Sequence, residues 1–409
     1  MKTYPAFGAR ADRLATWAAI ALGASIPVST ALDGVLLVLI LALWLLGADY
    51  REKFRLIRDN PVALAALWLL ALVLAGTLYG HGPAREALNY AGKYADLLFI
   101  ALLLPLFRDP ERRRYGMIAF VAAMLVTLGL SYLLGTGAIG QNRVIHGFAG
   151  NAFVFKNHIA QNILMAFAAF LFALKTRYAV SVRARVAFGV LAALAVYNVL
   201  FMVQGRTGYV ILAVLIVYLC VGWLRWKGAA VAAAVLIVLG TAAYQGSTAL
   251  HERVNEAVQE YAQWHPGQGD ETSVGLRLGF YVNTLAVIRA HPLLGVGTGG
   301  FVEAYRAQVK GTSMTPTTNP HNQYLLIAAE LGLVGLASLL YLFFTQWRTA
   351  AALPTPFQRH LARGLVLTIM SGGLVNSLLI DHTERMFFAW MSALLFAGLH
   401  GVAARGKEG

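Results

Sequence analysis

The sequence has few charged residues and almost no cysteine. Asp, Glu, Lys and Arg make up 13% of its 409 residues, whereas 58% are hydrophobic, and the mean hydropathy is +0.63. A soluble domain needs a charged surface, so this composition excludes one and indicates a polytopic membrane protein. The single cysteine, Cys220, lies in an apolar run and has no partner for an intrachain disulfide bond. The segments outside the membrane must therefore be stable without such bonds.

Acidic residues are also scarce, since 33 Lys and Arg outnumber 19 Asp and Glu and give a formal net charge of +14. Most basic residues lie in short runs between apolar segments, which is how membrane topology is encoded. We therefore interpret the excess of basic residues as a signal that sets the orientation of the protein in the membrane, and we expect no nucleic acid partner. The apolar run 14–31 is followed at once by a second run, so we interpret it as an uncleaved span and not as a signal peptide.

The apolar runs predict an all-α fold with about twelve transmembrane helices. A bilayer core needs roughly 20 apolar residues per helix, and about 17 to 25 are tolerated. The candidate spans are 14–31, 34–49, 62–79, 91–107, 115–135, 158–174, 186–203, 207–224, 228–245, 322–346, 361–380 and 385–403. The chain is thereby divided into nine spans in 1–245, a large outer loop at 246–321 and three spans in 322–409.

The distribution of Lys and Arg predicts the orientation. With the N-terminus in the cytoplasm, the inner loops and termini hold 22 of the 33 basic residues, and every inner loop is short. We therefore expect both termini in the cytoplasm and the loop 246–321 on the outer face. That loop is too long for a simple connection. Its pattern predicts a surface helix over 247–264, a helix capped by residues 270–273 that runs to Ala290, and a short helix from Thr298 or Gly300 to Val309.

His321 is the candidate general base. It follows Asn319 and Pro320 and precedes a long apolar run, so Asn319 is expected to cap the tenth span and His321 to lie in its first turn. The positive end of the helix dipole disfavours an imidazolium there, and a neutral imidazole can accept a proton. The alternative interpretation is a histidine that only caps a helix or forms a hydrogen bond at the membrane interface.

Arginines near the same face are candidate anion ligands. Arg206 lies in a tight turn between two spans, where a lone cation is costly without an anion or water. Arg277 is expected near the start of the loop helix, and two converging guanidinium groups would suit a phosphate. Each arginine could equally be solvated or contact lipid headgroups. Arg143, Lys156, Asn157 and His158 border the next outer loop and could extend a basic cleft.

Two further stretches are less specific. The glycine-rich residues 295–300 superficially resemble a dinucleotide loop, but no strand–helix unit surrounds them. We interpret them as a tight turn before a short helix whose amides could receive an anion. The outer turn 381–385 contains Asp381, His382 and Glu384, which are too close in sequence to favour a metal site. Asp381 is expected instead to orient an arginine or the histidine.

Together, these motifs resemble the O-antigen ligase and O-antigen polymerase superfamily of bacterial inner membranes. The resemblance rests on Arg277, on the pattern HPLxGVGxG at 291–299, on HNQYL and ELGLVG within 321–335, and on the shorter GRTG signature at 205–208. These motifs cover mainly residues 200–210 and 272–335. The combination is specific, whereas each motif alone is weak.

The resemblance implies a helical membrane fold similar to C-type glycosyltransferases, with its site at the periplasmic face of the inner membrane. The donor would be a glycan on undecaprenyl diphosphate and the acceptor a sugar hydroxyl of lipid A-core, among membrane lipids and without a cofactor or metal. Arg206 and Arg277 would bind the diphosphate, and His321 would deprotonate the acceptor in an inverting transfer. Further substrate contacts are expected at Arg143, Lys156, Asn322 and Asp381.

Several activities share these motifs. Ligase, polymerase and protein O-oligosaccharyltransferase all need an outer-face cleft, and the loop motifs resemble the ligase branch more closely than the polymerase branch. A transporter of lipid-linked glycans belongs to a different class. Transporters often carry internal repeats and ionisable residues near the membrane midplane. Here the charges cluster at one surface and no repeat is found, which favours an enzyme.

Overall fold

A computed structural model describes residues 4–80, 82–246, 248–265 and 272–399. Within these ranges the protein consists of helices and loops without a β-strand, and its one extended pairing is an isolated bridge between Phe148 and Asn151. The predicted all-α class is therefore confirmed.

In the described part of the chain, eleven α-helices precede the large loop, three lie within it and three follow. The first group is α1 (Tyr4–Ser25), α2 (Thr30–Leu45), α3 (Tyr50–Arg58), α4 (Pro61–Tyr79), α5 (Ala84–Tyr94), α6 (Asp96–Leu103), α7 (Pro110–Gly135), α8 (His158–Tyr178), α9 (Val182–Tyr197), α10 (Arg206–Leu224) and α11 (Lys227–Gly246). The loop contains α12 (Thr248–Gln263), α13 (Ser273–Ala290) and α14 (Phe301–Gln308). The last group is α15 (Gln323–Ala350), α16 (Pro356–Gly373) and α17 (His382–Phe396).

Eight of the described helical segments are long and apolar enough to cross a membrane, and a ninth arises if the bent pair α2 and α3 counts as one span. The eight are 61–79, 84–107, 110–135, 158–178, 182–202, 206–224, 227–246 and 323–350. The other four predicted spans correspond to α1, α2, α16 and α17. None of these helices by itself is long and apolar enough to count as a membrane span. A polytopic membrane protein is thus supported, while the count of twelve and the sidedness of the predicted segments stay predictions.

The helices of the large loop between α11 and α15 lie where their sequence pattern predicts them. Thr272 caps α13, because its Oγ1 accepts a hydrogen bond from the Gly275 amide at 3.2 Å. Asp270 and Glu271 of the predicted cap lie outside the described residues. The helices α12 and α14 match the two other expected segments to within a few residues.

The predicted start of the tenth span is wrong by a few residues. Asn322, and not Asn319, caps α15: its Oδ1 accepts hydrogen bonds from the amides of Tyr324 and Leu325, both at 3.0 Å. Asn319 instead closes a turn in which its Oδ1 accepts from the His321 amide at 2.8 Å. His321 therefore lies immediately before the capping residue and outside the helix.

The core is formed around α8, which packs against α9, α10 and α16 and is buried along most of its length. Aromatic rings fill the space between α7, α8 and α17, where Phe387 lies 5.6 Å from Phe120 and 5.0 Å from Phe167, measured between ring centroids. Such ring contacts stabilise beyond their buried area. They hold α8 and α17 together, and both helices begin at the candidate site described below.

The glycine-rich tract 295–300 packs against α15, and its amides donate hydrogen bonds to groups of the protein. The amides of Val296 and Gly297 donate to the carbonyls of Ala329 and Glu330, each at 2.9 Å. The Gly299 amide donates to the buried Glu330 carboxylate at 2.9 Å. In return, α15 is broken at Gly332, and the amides of residues 333 and 334 donate to carbonyls of residues 292 and 293.

The amides of residues 295–300 thus have partners within the protein. An anion at the first amides of α14 itself stays a prediction. The tract and the α15 break are therefore two halves of one packing motif that fixes the loop helices against the membrane helices.

Replacing Gly297 by alanine should destabilise the protein strongly. Its φ is +85°, and an added Cβ would lie 2.2 Å from the Gly80 Cα. Gly311 is a matched control, because its φ is +78° but nothing lies within 4 Å of the added Cβ. The left-handed conformation alone costs about 1–2 kcal/mol, and forced overpacking adds about 1–3 kcal/mol. Thermal melting in detergent should therefore place Gly297→Ala clearly below Gly311→Ala, and equal melting would refute the close packing.

Candidate functional site

Two adjoining cavities lie at the end of the helix bundle where α8, α10, α13 and α17 begin and where the chain enters α15. The first cavity has a volume of about 630 Å³ and contains His321, and the second has a volume of about 790 Å³ and contains Arg206. Ile159, Thr207 and Arg277 line both. Helix N-termini carry positive partial charge, so their convergence favours an anionic ligand.

His321 lies half-buried in the wall of the first cavity. Burial lowers the pKa of its imidazole below the ordinary value of 6.5. The Arg277 guanidinium lowers this pKa further, while Asn376 and Asp381 oppose the shift. Burial thus favours the neutral imidazole. The sequence analysis attributed this form to the dipole of the tenth span, but His321 lies outside α15.

A chain of two hydrogen bonds orients the imidazole. His321 Nδ1 lies 3.4 Å from Asn376 Oδ1, and Asn376 Nδ2 donates to Asp381 Oδ2 at 3.3 Å. The amide of Ser377 also donates to Asn376 Oδ1, which fixes this oxygen as an acceptor. His321 Nδ1 must then carry the proton. Nε2 keeps its lone pair and is the atom that can accept a proton.

The backbone of His321 has a φ of +54°, a conformation that non-glycine residues seldom adopt. The turn closed by Asn319 supports it from one side. Tyr281 of α13 lies on the other side, with its hydroxyl 3.4 Å from the His321 carbonyl. Backbone strain of this kind persists where the surrounding contacts over-determine it, and it is concentrated at functional sites.

Arg206 and Arg277 approach the cavities from different elements. Arg206 is the first residue of α10, and the turn before it is fastened by buried Asn162 of α8, whose Nδ2 donates to the carbonyls of Val203 and Gly205, each at 3.0 Å. Arg277 projects from the first turns of α13 between the two cavities. Both arginines are half-buried. The structure thus brings Arg206, Arg277 and His321 to one connected site.

Lys156 also lines the first cavity, but it is buried and already has a partner. Its Nζ lies 3.5 Å from Asp33 Oδ2, and His382 Nε2 lies 3.3 Å from the same oxygen. Burial lowers the pKa of Lys156, and the Asp33 carboxylate opposes this shift. The floor of the cavity is therefore a compact polar network in which the lysine charge is largely balanced.

Two other expected ligands lie apart from the cavities. Arg143 is exposed and is not among the residues that line either cavity. Asn322 uses its oxygen to cap α15, and its Nδ2 donates to the Leu374 carbonyl at 2.9 Å. A substrate contact at either residue stays a prediction. Asp381 lines the first cavity, where it acts on His321 through Asn376.

Sequence reasoning missed Asn376. The predicted eleventh span, 361–380, included it, whereas α16 ends at Gly373 and leaves Asn376 in the turn before α17. A polar Asn-Ser pair near the end of an apolar run was the available signal. Asp33, which lies between the first two predicted spans, was likewise not assigned to the site. Within the described ranges, no group of three or more His, Cys, Asp or Glu residues is arranged to hold a metal ion.

Comparison with known proteins agrees with these motifs. The O-antigen ligase family model matches residues 190–340, which include Arg206, Arg277, the glycine tract and His321. The resemblance inferred from the sequence is thereby confirmed over that segment. An uncharacterized protein of Haemophilus influenzae is 32% identical over 100 residues, which are 24% of this chain and 25% of that protein. The chain thus spans about a quarter of that relative's length.

Proposed function

We propose, since residues 190–340 match the O-antigen ligase family, that this protein transfers a glycan from undecaprenyl diphosphate to a sugar hydroxyl of lipid A-core. The observation that carries the proposal is the position of Arg277, which lines both the cavity of Arg206 and the cavity of His321. A diphosphate in the second cavity and a hydroxyl beside His321 would meet at this arginine.

The donor occupies the second cavity in this proposal. Arg206 and Arg277 bind the diphosphate oxygens, and guanidinium groups suit them because they donate parallel, charge-assisted hydrogen bonds. Val254, Val258 and Tyr261 of α12 and Val210 of α10 provide an apolar wall on the same cavity. A polyprenyl chain fits such a wall. Negative charge on the leaving diphosphate grows during transfer, so the two cations stabilise the transition state more than the ground state.

The acceptor hydroxyl binds in the first cavity, next to His321. Its oxygen attacks the anomeric carbon while His321 Nε2 takes the hydroxyl proton. The bond between the anomeric carbon and the diphosphate oxygen breaks, and the electron pair leaves with the diphosphate. This single displacement inverts the anomeric configuration. Nδ1 stays bonded to Asn376, which holds the imidazole in the required tautomer.

The location proposed for this reaction is the periplasmic face of the bacterial inner membrane. The basic inner loops support an orientation with both termini in the cytoplasm. The site lies at the end of α8 opposite to its basic terminus, where Lys175 and Arg177 are found. That separation supports a site at the membrane surface opposite to the basic loops.

The direct test is glycan transfer by the purified protein in detergent, with a chelator present. The donor is an undecaprenyl diphosphate glycan, and reactions contain or lack lipid A-core. Acceptor-dependent product with release of undecaprenyl diphosphate is the expected result. Longer lipid-linked chains without the acceptor would instead identify a polymerase. Donor binding without any covalent change would contradict both enzymatic assignments and favour transport.

The transfer rate should depend on pH through His321. The base must be neutral, and burial together with Arg277 lowers its pKa below 6.5. Asn376 and Asp381 are the groups that oppose this shift. The rate should therefore stay on its plateau as pH falls through 6.5 and decline only in more acidic solution. A profile of kcat against pH measures this, and a decline centred above 6.5 would contradict the proposed electrostatics.

Asn376 is expected to act as a positioning residue. Asn376→Ala removes the acceptor for His321 Nδ1, so we expect kcat to fall about tenfold, the value of one hydrogen bond at the upper end of the usual range. Asn376→Asp keeps an acceptor but adds a negative charge that favours the imidazolium. The acid limb of the pH profile should then move to higher pH. An unchanged limb in Asn376→Asp would mean that Asn376 has only a structural role.

A further inference from the structure

A third cavity of about 550 Å³ lies at the opposite end of the bundle from the candidate site. It is bounded by the first half of α7, the last turns of α8, Phe188 of α9, the start of α16 and the end of α17. Its charged lining residues are Arg113, Arg114 and Lys175, and none of the residues that line it is acidic. A cavity whose charged residues all carry one sign favours a ligand of the opposite sign.

The cations at this cavity have little anionic balance in the protein: Asp109, which does not line the cavity, acts on Arg113. Arg113 is only 9% exposed, and its Nη1 donates to the carbonyls of Phe107 and Arg108 at 2.9 and 2.8 Å. Its Nε is buried and lacks a hydrogen-bond partner among the described residues. Lys175 Nζ lies 4.4 Å above the Phe357 ring. A buried guanidinium with an unpaired donor is costly, so a negative charge in the adjoining cavity would stabilise the site.

The apolar wall of the cavity has the length of a fatty acyl chain. Met117, Ile118, Val121 and Leu125 follow Arg114 on one face of α7. Between Arg114 and Leu125 the helix rises about 16 Å, at about 1.5 Å per residue. One leaflet occupies about half of a hydrocarbon core of roughly 30 Å. A cationic end joined to an apolar wall one leaflet long matches a phospholipid better than a free anion.

We infer that this cavity binds one anionic phospholipid of the leaflet on the side of the basic loops. Its phosphate contacts Arg113, Arg114 and Lys175, and an acyl chain lies along α7. Because the lipid contacts α7, α8, α16 and α17 together, it stabilises the packing of four helices that also support the candidate site. The inference does not depend on the proposed glycan transfer.

The test is the melting temperature of the purified protein in detergent, titrated with phosphatidylglycerol, phosphatidylcholine or inorganic phosphate. Phosphatidylglycerol alone should raise the melting temperature. Each cation contributes about 1 kcal/mol of attraction to an anionic lipid, so Arg114→Gln or Lys175→Gln should weaken the apparent affinity about fivefold and the double variant about 25-fold. Lys175→Arg keeps the charge and should bind as the wild type does.

Arg183→Gln is the matched control, since Arg183 lies in the same basic region but does not line the cavity. It should leave the affinity unchanged. Equal stabilisation by phosphate or phosphatidylcholine, wild-type affinity in the double variant, or an equal loss in Arg183→Gln would each overturn the inference. Should the double variant fail to fold, Ile118→Trp provides a second test: it obstructs the acyl wall, keeps all three cations and should reduce stabilisation by phosphatidylglycerol.

Discussion

Replacing His321 by alanine should lower the rate of glycan transfer about 10²- to 10⁴-fold, the usual contribution of a general base. The acceptor hydroxyl would then lose its proton to water alone. Donor binding should change little, because Arg206 and Arg277 remain in place. The measurement is single-turnover transfer at saturating donor, combined with a separate donor-binding titration.

A second histidine of the same cavity provides the control. His146 lines the first cavity, but it is exposed and lies outside the chain of bonds from His321 to Asp381. His146→Ala should therefore keep most of the activity. If His321→Ala retained full turnover in a well-folded sample, the general-base role would be refuted. If both variants lost activity equally, the loss would reflect damage to the cavity and not to a base.

Local sequence signals predicted the parts of the fold that depend on local physics. Apolar runs located the eight helical segments that are long and apolar enough to cross a membrane. Residues 270–273 were correctly expected to cap α13, since the Thr272 hydroxyl needs only the amide three residues ahead. The start of α15 was harder to predict, since Asn319 and Asn322 are both good caps. Asn322 is fixed there by its bond to the Leu374 carbonyl, a contact between distant residues that sequence spacing cannot show.

The sequence indicated which residues belong to the candidate site, but not how the fold arranges them. Resemblance and residue chemistry indicated Arg206, Arg277 and His321, and the structure brings them to adjoining cavities. That Arg277 lies between the cavities depends on how α13 packs against α15, which no local pattern specifies. The pairing of the glycine tract with α15 was not predicted for a related reason, because its hydrogen-bond partner in α15 lies about 30 residues away.

The position of Arg277 also predicts that its loss affects two properties at once. Arg277→Ala removes a cation from the diphosphate and leaves that charge unpaired in a partly buried site, which costs about 2–5 kcal/mol. This corresponds to roughly 30- to 5,000-fold in kcat/KM for the donor. Arg277 also helps to lower the pKa of His321. Its removal should therefore raise that pKa and move the acid limb of the rate profile to higher pH.

Two comparisons separate these effects from general damage. Arg289→Ala, at the exposed far end of α13 and away from both cavities, should change neither donor binding nor the pH profile. Arg206→Ala should weaken donor binding without moving the acid limb, because Arg206 lines the second cavity and not the first, which contains His321. If the acid limb did not move in Arg277→Ala, Arg277 would have no influence on the pKa of His321. If donor binding were unchanged in the same variant, Arg277 would not bind the diphosphate. Its position between the two cavities would then play no part in catalysis.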